Sequence, residues 1–558
     1  QLDALTTAQI DKLTTAQVSV LSSAQLAALT TTGNTKEVSV LTTAQLSNLS
    51  TSALTGLRTD QINVLSTDQL QSLSITQVKA LSTANIQALT SSQVVGLTGD
   101  QVSAMSSSQL AAIDDADYSA MTSVQLNGLK NSQIQTLGTA KLAALTSDQV
   151  GVLTASQVSV LTSAQVVALA GDSVELGKLT ADQVKALSTA AVSGLTDNQA
   201  SWLSSSQLES LSANQVKALK TSQIAALTSA QVGKLTTSQM QVLSAAQASA
   251  LTSNTTELGE LSADQIKSLT TAAIAGLRDV QVNNLTSTQT QALTSSQVKA
   301  LTTAQLNALT TVQASSLTSA QVSVLSTAQL GSLSVGNVTA LATASISGLT
   351  TGQVKALTTD KLDALSSAQI KALTTAQIAT LTAAQVTKLT SDTAEVSVLT
   401  TAQIKALSNT AVTGLTAGQL GKFDESQLQA LTTGQIRALS ATQLDALTTS
   451  QIDKLTTLQV SVLNASQVAA LTTSGNTGEV AKLTTAQINA LSASAVTGLT
   501  TDQLKVMDAD QLKSLTTAQI KSLTTNQITA LTSAQVDKLT SQQMSVMTAS
   551  QFTALVAN

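Results

Sequence analysis

The chain has 558 residues, 42% of them hydrophobic, with four aromatic side chains (Tyr118, Trp202, Phe423 and Phe552) and no Pro, Cys or His. That composition excludes disulfides, Cys nucleophiles, His-based triads and Cys/His zinc sites, and leaves Leu, Val, Ile and Ala to build any core. The 27 basic and 32 acidic residues give a net charge of −5, which suits neither a basic nucleic-acid surface nor a polyacidic tail.

From the N-terminus, Gln1-Leu2-Asp3-Ala4 is the second half of a unit that then recurs along the whole chain: Leu, Ser/Thr, x, x, Gln, Val/Ile/Leu, x, x, as in Leu13-Thr14-Thr15-Ala16-Gln17-Val18-Ser19-Val20. Leu5 to Leu555 spans 550 residues, which is 67 octads once the 14 extra residues of five longer units are set aside. Residues 1–558 therefore read as a single continuous repeat array. No run of about 18 apolar residues occurs, so no membrane span is expected, and the first residues lack the pattern of a signal peptide. The start within a unit, and an end at Leu555-Val556-Ala557-Asn558 without a polar capping unit, lead to the expectation of a segment of a longer protein.

An eight-residue step advances the Leu by about 80° around an α-helix, so one long amphipathic helix or coiled coil is excluded. The local chemistry favours short helices. Ser/Thr followed three residues later by Gln is a capping box, and the Leu before it with the Val/Ile after it stand at the two positions of a hydrophobic staple. Each helix has room for about six or seven residues and needs stacked neighbours to persist. The expected fold is all-α, a superhelical solenoid of short capped helices; a β-solenoid, with Leu on one face and Val/Ile on the other, is the alternative. As a cap partner, Gln17 should contribute about 0.5–2 kcal/mol, so Gln17→Ala is expected to lower the melting curve of a short array.

The longer units contain Asn34-Thr35-Lys36-Glu37, Asp172-Ser173-Val174-Glu175, Asn254-Thr255-Thr256-Glu257, Asp392-Thr393-Ala394-Glu395 and Asn476-Thr477-Gly478-Glu479, each a capping box with Glu as partner. Two octads after each, Ala replaces Gln and Gly ends the unit: Ala53 with Gly56, Ala191 with Gly194, Ala273 with Gly276, Ala411 with Gly414, Ala495 with Gly498. Ser345 with Gly348, and Gly128, mark two further places. The pattern repeats after 220 residues, Leu169 to Leu389 and Leu251 to Leu471, and the seven marked units lie nine octads apart on average. Nine octads are accordingly expected to form one superhelical turn, a coil about 30 Å across if each helix rises about 10 Å.

The acidic residues of the longer units, and Asp114, Asp115 and Asp117 beside Tyr118, carry oxygens of the kind calcium takes. None has EF-hand or glycine-rich nonapeptide spacing, and capping explains them. No metal, cofactor or catalytic residue is therefore assigned. Abundant Ser and Thr have no His to activate them, so no enzyme is expected.

Leu161-Thr162-Ser163-Ala164-Gln165-Val166-Val167-Ala168-Leu169 resembles the opening helix of a transcription-activator-like effector repeat. That family's 34-residue period, base-reading pair and basic surface have no counterpart here, so no nucleic-acid partner is expected. By composition and repetitiveness the whole chain is similar to very large repetitive surface proteins of Gram-negative bacteria. The resemblance implies an extracellular or cell-surface filament, or the stalk of an adhesin or surface layer, whose main partner is itself. The alternative function is a repetitive binding module presenting its altered units along one side.

Overall fold

The computed structural model describes residues 2–30, 37–251, 257–389, 398–471 and 479–556. Among these there are 64 short α-helices, three 3-10 segments and no strand. The β-solenoid alternative is thus set aside in favour of the cap-driven helices. Helices run from four residues, as in Thr7–Ile10, to eight in Ala549–Val556.

One octad shows how the sequence encodes its element. Thr122 is extended at φ −75°, ψ 158°; its hydroxyl accepts the Gln125 N–H, and Gln125 Oε1 accepts the Thr122 N–H at 2.8 Å. Helix Ser123–Gly128 follows and stops at Leu129, extended at φ −67°, ψ 133°, whose N–H donates to the Leu126 carbonyl at 3.2 Å. In the regular octads two extended residues, Leu then Ser/Thr, separate successive helices and redirect the chain. Met121, Gln125, Leu126 and Leu129 are buried, while Thr122, Ser123, Val124 and Asn127 face solvent. The Leu and Val/Ile positions form the core as expected, each burial being worth about 1.5–3 kcal/mol.

The chain divides into two compact units, Gln1–Asn284 and Leu285–Asn558. Within the first, helix Gly99–Ala104 packs on Ile75–Ala80 and on Ser123–Gly128, each three helices away in the chain. Within the second, Val335–Ala340 packs likewise on Thr311–Ser316 and Thr359–Asp363. A turn therefore closes in between three and four octads, which corrects the expected nine. The expectation laid the helices head to tail around a wide circle; the two extended residues bend the path too sharply for that.

The marked units acquire a different meaning. A methyl group on Gly276 would lie 2.6 Å from the Cα, Cβ and O of Ala245, and one on Gly348 would lie 2.5 Å from Ser319 Cβ. Gly56, Gly414 and Gly498 lie in the same way against the backbone of Ser23, Ala383 and Ala465, Gly194 against the Ser163 side chain, and Gly128 against the Gly99 carbonyl. Each contacted residue opens a helix of the preceding turn. Five of those helices (beginning at Ser23, Ser163, Ala245, Ala383 and Ala465) lead directly into a longer unit. The pairing of a longer unit with an altered unit two octads later is thus a packing device: small residues let the next turn settle close to the helix before the detour.

Gly276→Ala is expected to destabilise its turn by about 1–3 kcal/mol through overpacking against backbone. Gly331→Ala, where a methyl group meets nothing within 4 Å, should be neutral or slightly stabilising. Amide exchange in helices Ala245–Ala250 and Thr271–Gly276, compared with Thr327–Ser332, separates the two outcomes.

Candidate functional site: the turn-to-turn glutamine ladder

The fifth residue of the octad is where the chain's chemistry concentrates. Gln125 is 1% exposed. Its Oε1 closes the capping box, and its Nε2 donates to the carbonyls of Val94 and Leu97, both at 2.7 Å, in the turn below. Those carbonyls belong to the end of helix Ser91–Gly96 and to its cap; Val94 also accepts the Leu97 N–H at 3.2 Å, and the amide fills the acceptor capacity that a helix C-terminus leaves over. One side chain thus satisfies the start of its own helix and the end of another 31 and 28 residues earlier. The second unit repeats the arrangement: Gln435 Nε2 donates to Ile404 and Leu407 at 2.8 and 2.7 Å.

The longer units lengthen this register by the residues they add. Gln403, beyond a two-residue extension, reaches back 33 and 30 residues to Ile370 and Leu373. Gln61 and Gln487, beyond four-residue extensions, reach back 35 and 32, to Leu26 and Leu29 and to Ile452 and Leu455. The stacking positions are held in these three cases, while Gln199, beyond the unit at Asp172, bonds one residue further on, to Val167 and Ala170 at 3.0 and 2.8 Å. Of the five Glu capping boxes read from the sequence, the one at Asp172 is described in full. Asp172 Oδ1 accepts from Val174 and Glu175 N–H at 2.7 and 3.0 Å, and Glu175 accepts back from Asp172. Asn34, Asn254, Asp392 and Asn476 lie outside the described residues.

Exceptions at the fifth position reveal which half of Gln matters between turns. Asn85 and Asn337 donate Nδ2 to Leu57 and Leu309, both at 2.8 Å, 28 residues back. Ser345 donates Oγ to Leu317 at 2.6 Å. Lys141 reaches the Ile113 carbonyl, and Lys361 reaches Gly331 at 2.5 Å. All five keep a donor aimed at the turn below. Burial lowers the Lys361 pKa from its ordinary value, the expected penalty on a charge held against carbonyls instead of water. Ala53, Ala191, Ala273, Ala411 and Ala495 lack the donor and are fully buried; their helices retain the hydroxyl cap, as in Ser188 accepting from Ala191 N–H at 3.1 Å.

Asp117 departs from the series, and the sequence expectation for its cluster needs correcting. Asp114 makes no side-chain cap bond, and Asp117 is 6% exposed, accepting from Ser91 Oγ at 2.6 Å. Asp115 pairs with Lys141 at 3.2 Å, and Lys141 Nζ lies 4.9 Å from the centroid of the buried Tyr118 ring. Tyr118 donates its hydroxyl to Leu110 at 2.9 Å, and burial, aided by Asp115, holds its pKa above the ordinary value. The cluster is a local packing arrangement, not a solvated cap. Among the described residues no group of three or more Asp or Glu side chains converges on a metal position, and no helix is long and apolar enough to cross a membrane.

The sequence identified Gln as a cap partner and missed its donor half. The signal was present: a capping box accepts Glu as readily as Gln, yet the regular octads use Gln.

The chain is a repetitive protein, an α-solenoid of short helices. The ALTTAQ repeat family matches it in seven stretches, residues 1–31, 38–75, 76–107, 203–237, 360–391, 420–457 and 505–541, distributed over both compact units. No curated protein matches the chain.

Gln125→Glu keeps the cap acceptor but replaces the donor with a carboxylate facing carbonyl oxygens; a loss of about 2–4 kcal/mol in that turn is expected. Gln17, whose Oε1 caps Thr14 at 2.9 Å and which is exposed, should tolerate Glu within about 0.5 kcal/mol. Site-resolved amide exchange of the two variants measures the difference.

Proposed function

We propose that the chain is a non-enzymatic structural protein working outside the cell, as a filament or as the elongated stalk of a bacterial surface protein. The observation that carries this is the glutamine ladder itself. Within each compact unit the regular turns bond to the next through the same amide-to-carbonyl pattern, so length is added without inventing a new interface. Support also comes from composition, which supplies no His or Cys for the usual catalytic centres, and from the resemblance to large repetitive surface proteins. Adhesion through the altered units is less well supported, because their glycines are spent on packing against the preceding turn.

Association of one copy with another fits the same pattern. Gln9, Gln17 and Gln25 close their capping boxes and have no acceptor for Nε2 among the described residues. The face they share offers the donors that elsewhere hold a turn. Its proposed partner is a carbonyl-bearing turn of the same repeat, whether in the protein's own chain or in a second copy.

Antibody labelling of intact cells of the source organism tests the location. Label on intact cells is expected, and label that appears only after permeabilisation overturns it. Electron cryomicroscopy of the purified chain tests the architecture: rods whose length grows in proportion when one further 220-residue block is inserted are expected, and a particle of unchanged length overturns the stalk.

A further inference from the structure

The five longer units share a substitution whose consequence the ladder makes visible. Each carries Glu where the regular octad carries Gln, immediately before a Val or Leu: Glu37, Glu175, Glu257, Glu395 and Glu479. A carboxylate can serve the capping half of the position but has no hydrogen to donate to the turn below. Glu37 and Glu479 are both buried; Glu37 Oε2 accepts from the Thr30 N–H at 2.7 Å, whereas Glu479 is where the deficiency is left without a partner. It opens helix Glu479–Lys482 and is 7% exposed. The register of its neighbours, in which Gln487 bonds 35, 34 and 32 residues back, places Glu479 over Leu444, Asp445 and Leu447. There Glu479 Oε2 and Asp445 Oδ1 are both buried without a hydrogen-bond partner, the two such side-chain atoms among the described residues.

We propose that Glu479 is a proton-operated form of the stacking glutamine. When it takes a proton from solvent, its Oε2–H becomes a donor toward the Asp445 carboxylate and the carbonyls beside it, and the turn is latched as Gln latches the others. When it loses the proton, two carboxylates face one another and the latch opens.

Helix Thr449–Ile452, packed against Glu479–Lys482, has no ionisable side chain, and Asp453 and Lys454 beyond it pair with each other at 3.9 Å. Lys482 lies on the same helix as Glu479. From the turn above, helix Ala509–Ser514 brings Asp510 and Lys513, and in Thr501–Lys505 Asp502 pairs with Lys505 at 3.4 Å. Among the described residues no cation forms an ion pair with Glu479 or Asp445. Burial first, and the Asp445 charge second, raise the Glu479 pKa from 4.5 to about 7. A carboxyl whose folded pKa is raised binds its proton more tightly in the native state. The stability it adds is fully present below about pH 4.5 and is lost as pH rises toward 7.

Amide exchange of the full chain, corrected for intrinsic rates and followed from pH 4.5 to pH 8, tests the latch. Protection in helices Ala441–Asp445, Thr449–Ile452 and Glu479–Lys482 is expected to fall by up to on the order of a hundredfold across the range, while helix Ser123–Gly128, held by Gln125, stays level. Glu479→Gln, which restores the residue of the regular octads, should give high protection at every pH, and Asp445→Asn should move the midpoint down. Protection independent of pH in the natural chain, or an unchanged pH slope in Glu479→Gln, overturns the proposal.

Discussion

The structure depends on one primary amide used at both ends. A helix of four to eight residues is too short to stand in water, because nucleation consumes most of what its few hydrogen bonds return, and each terminus leaves backbone groups unpaired. Gln in the fifth position answers both problems. Its oxygen fixes the N-terminus of its own helix, and its nitrogen bonds carbonyls at the C-terminal end of a helix one turn earlier. The Leu and Val/Ile core supplies attraction without direction; the amide supplies register. An apolar seam of such similar side chains tolerates small offsets between turns with little change in contact, whereas a donor that must meet two carbonyls at a helix end fixes the offset within each octad.

Legibility in the sequence followed the range of each interaction. The cap, the staple and the buried positions lie within six residues of one another, so Ser/Thr-x-x-Gln and the flanking Leu and Val were enough to predict helix starts and core faces. Turn length was not legible. It depends on the angle that two extended residues, such as Leu129 and Lys130, impose between successive helices, and no residue type in the octad reports that angle. The period of nine octads was real as a pattern and wrong as geometry, because Gly276 and its equivalents answer to the helix three units back, beside the detour. The donor role of Gln lay between these cases: Asn85, Lys141, Ser345 and Lys361 share nothing except a hydrogen to give, and that common property becomes meaningful only once the carbonyls of Leu57, Ile113, Leu317 and Gly331 are seen opposite them.

The same economy explains how the array tolerates irregularity. Extensions of two or four residues change the sequence separation of the stacking bonds and leave their partners in place or, beyond Asp172, one residue on, so a detour disturbs the turn in which it occurs and little beyond it. Stability in such a solenoid is a sum of local terms, and a change at one fifth position weakens one pair of turns without unfolding the rest. That locality is what makes the Glu positions informative. In a globular core, a buried carboxylate without a partner would threaten the whole fold; here its cost is confined to one turn. The array can therefore carry at Glu479 the proton-dependent bonding proposed above, at a place where the regular ladder is already interrupted.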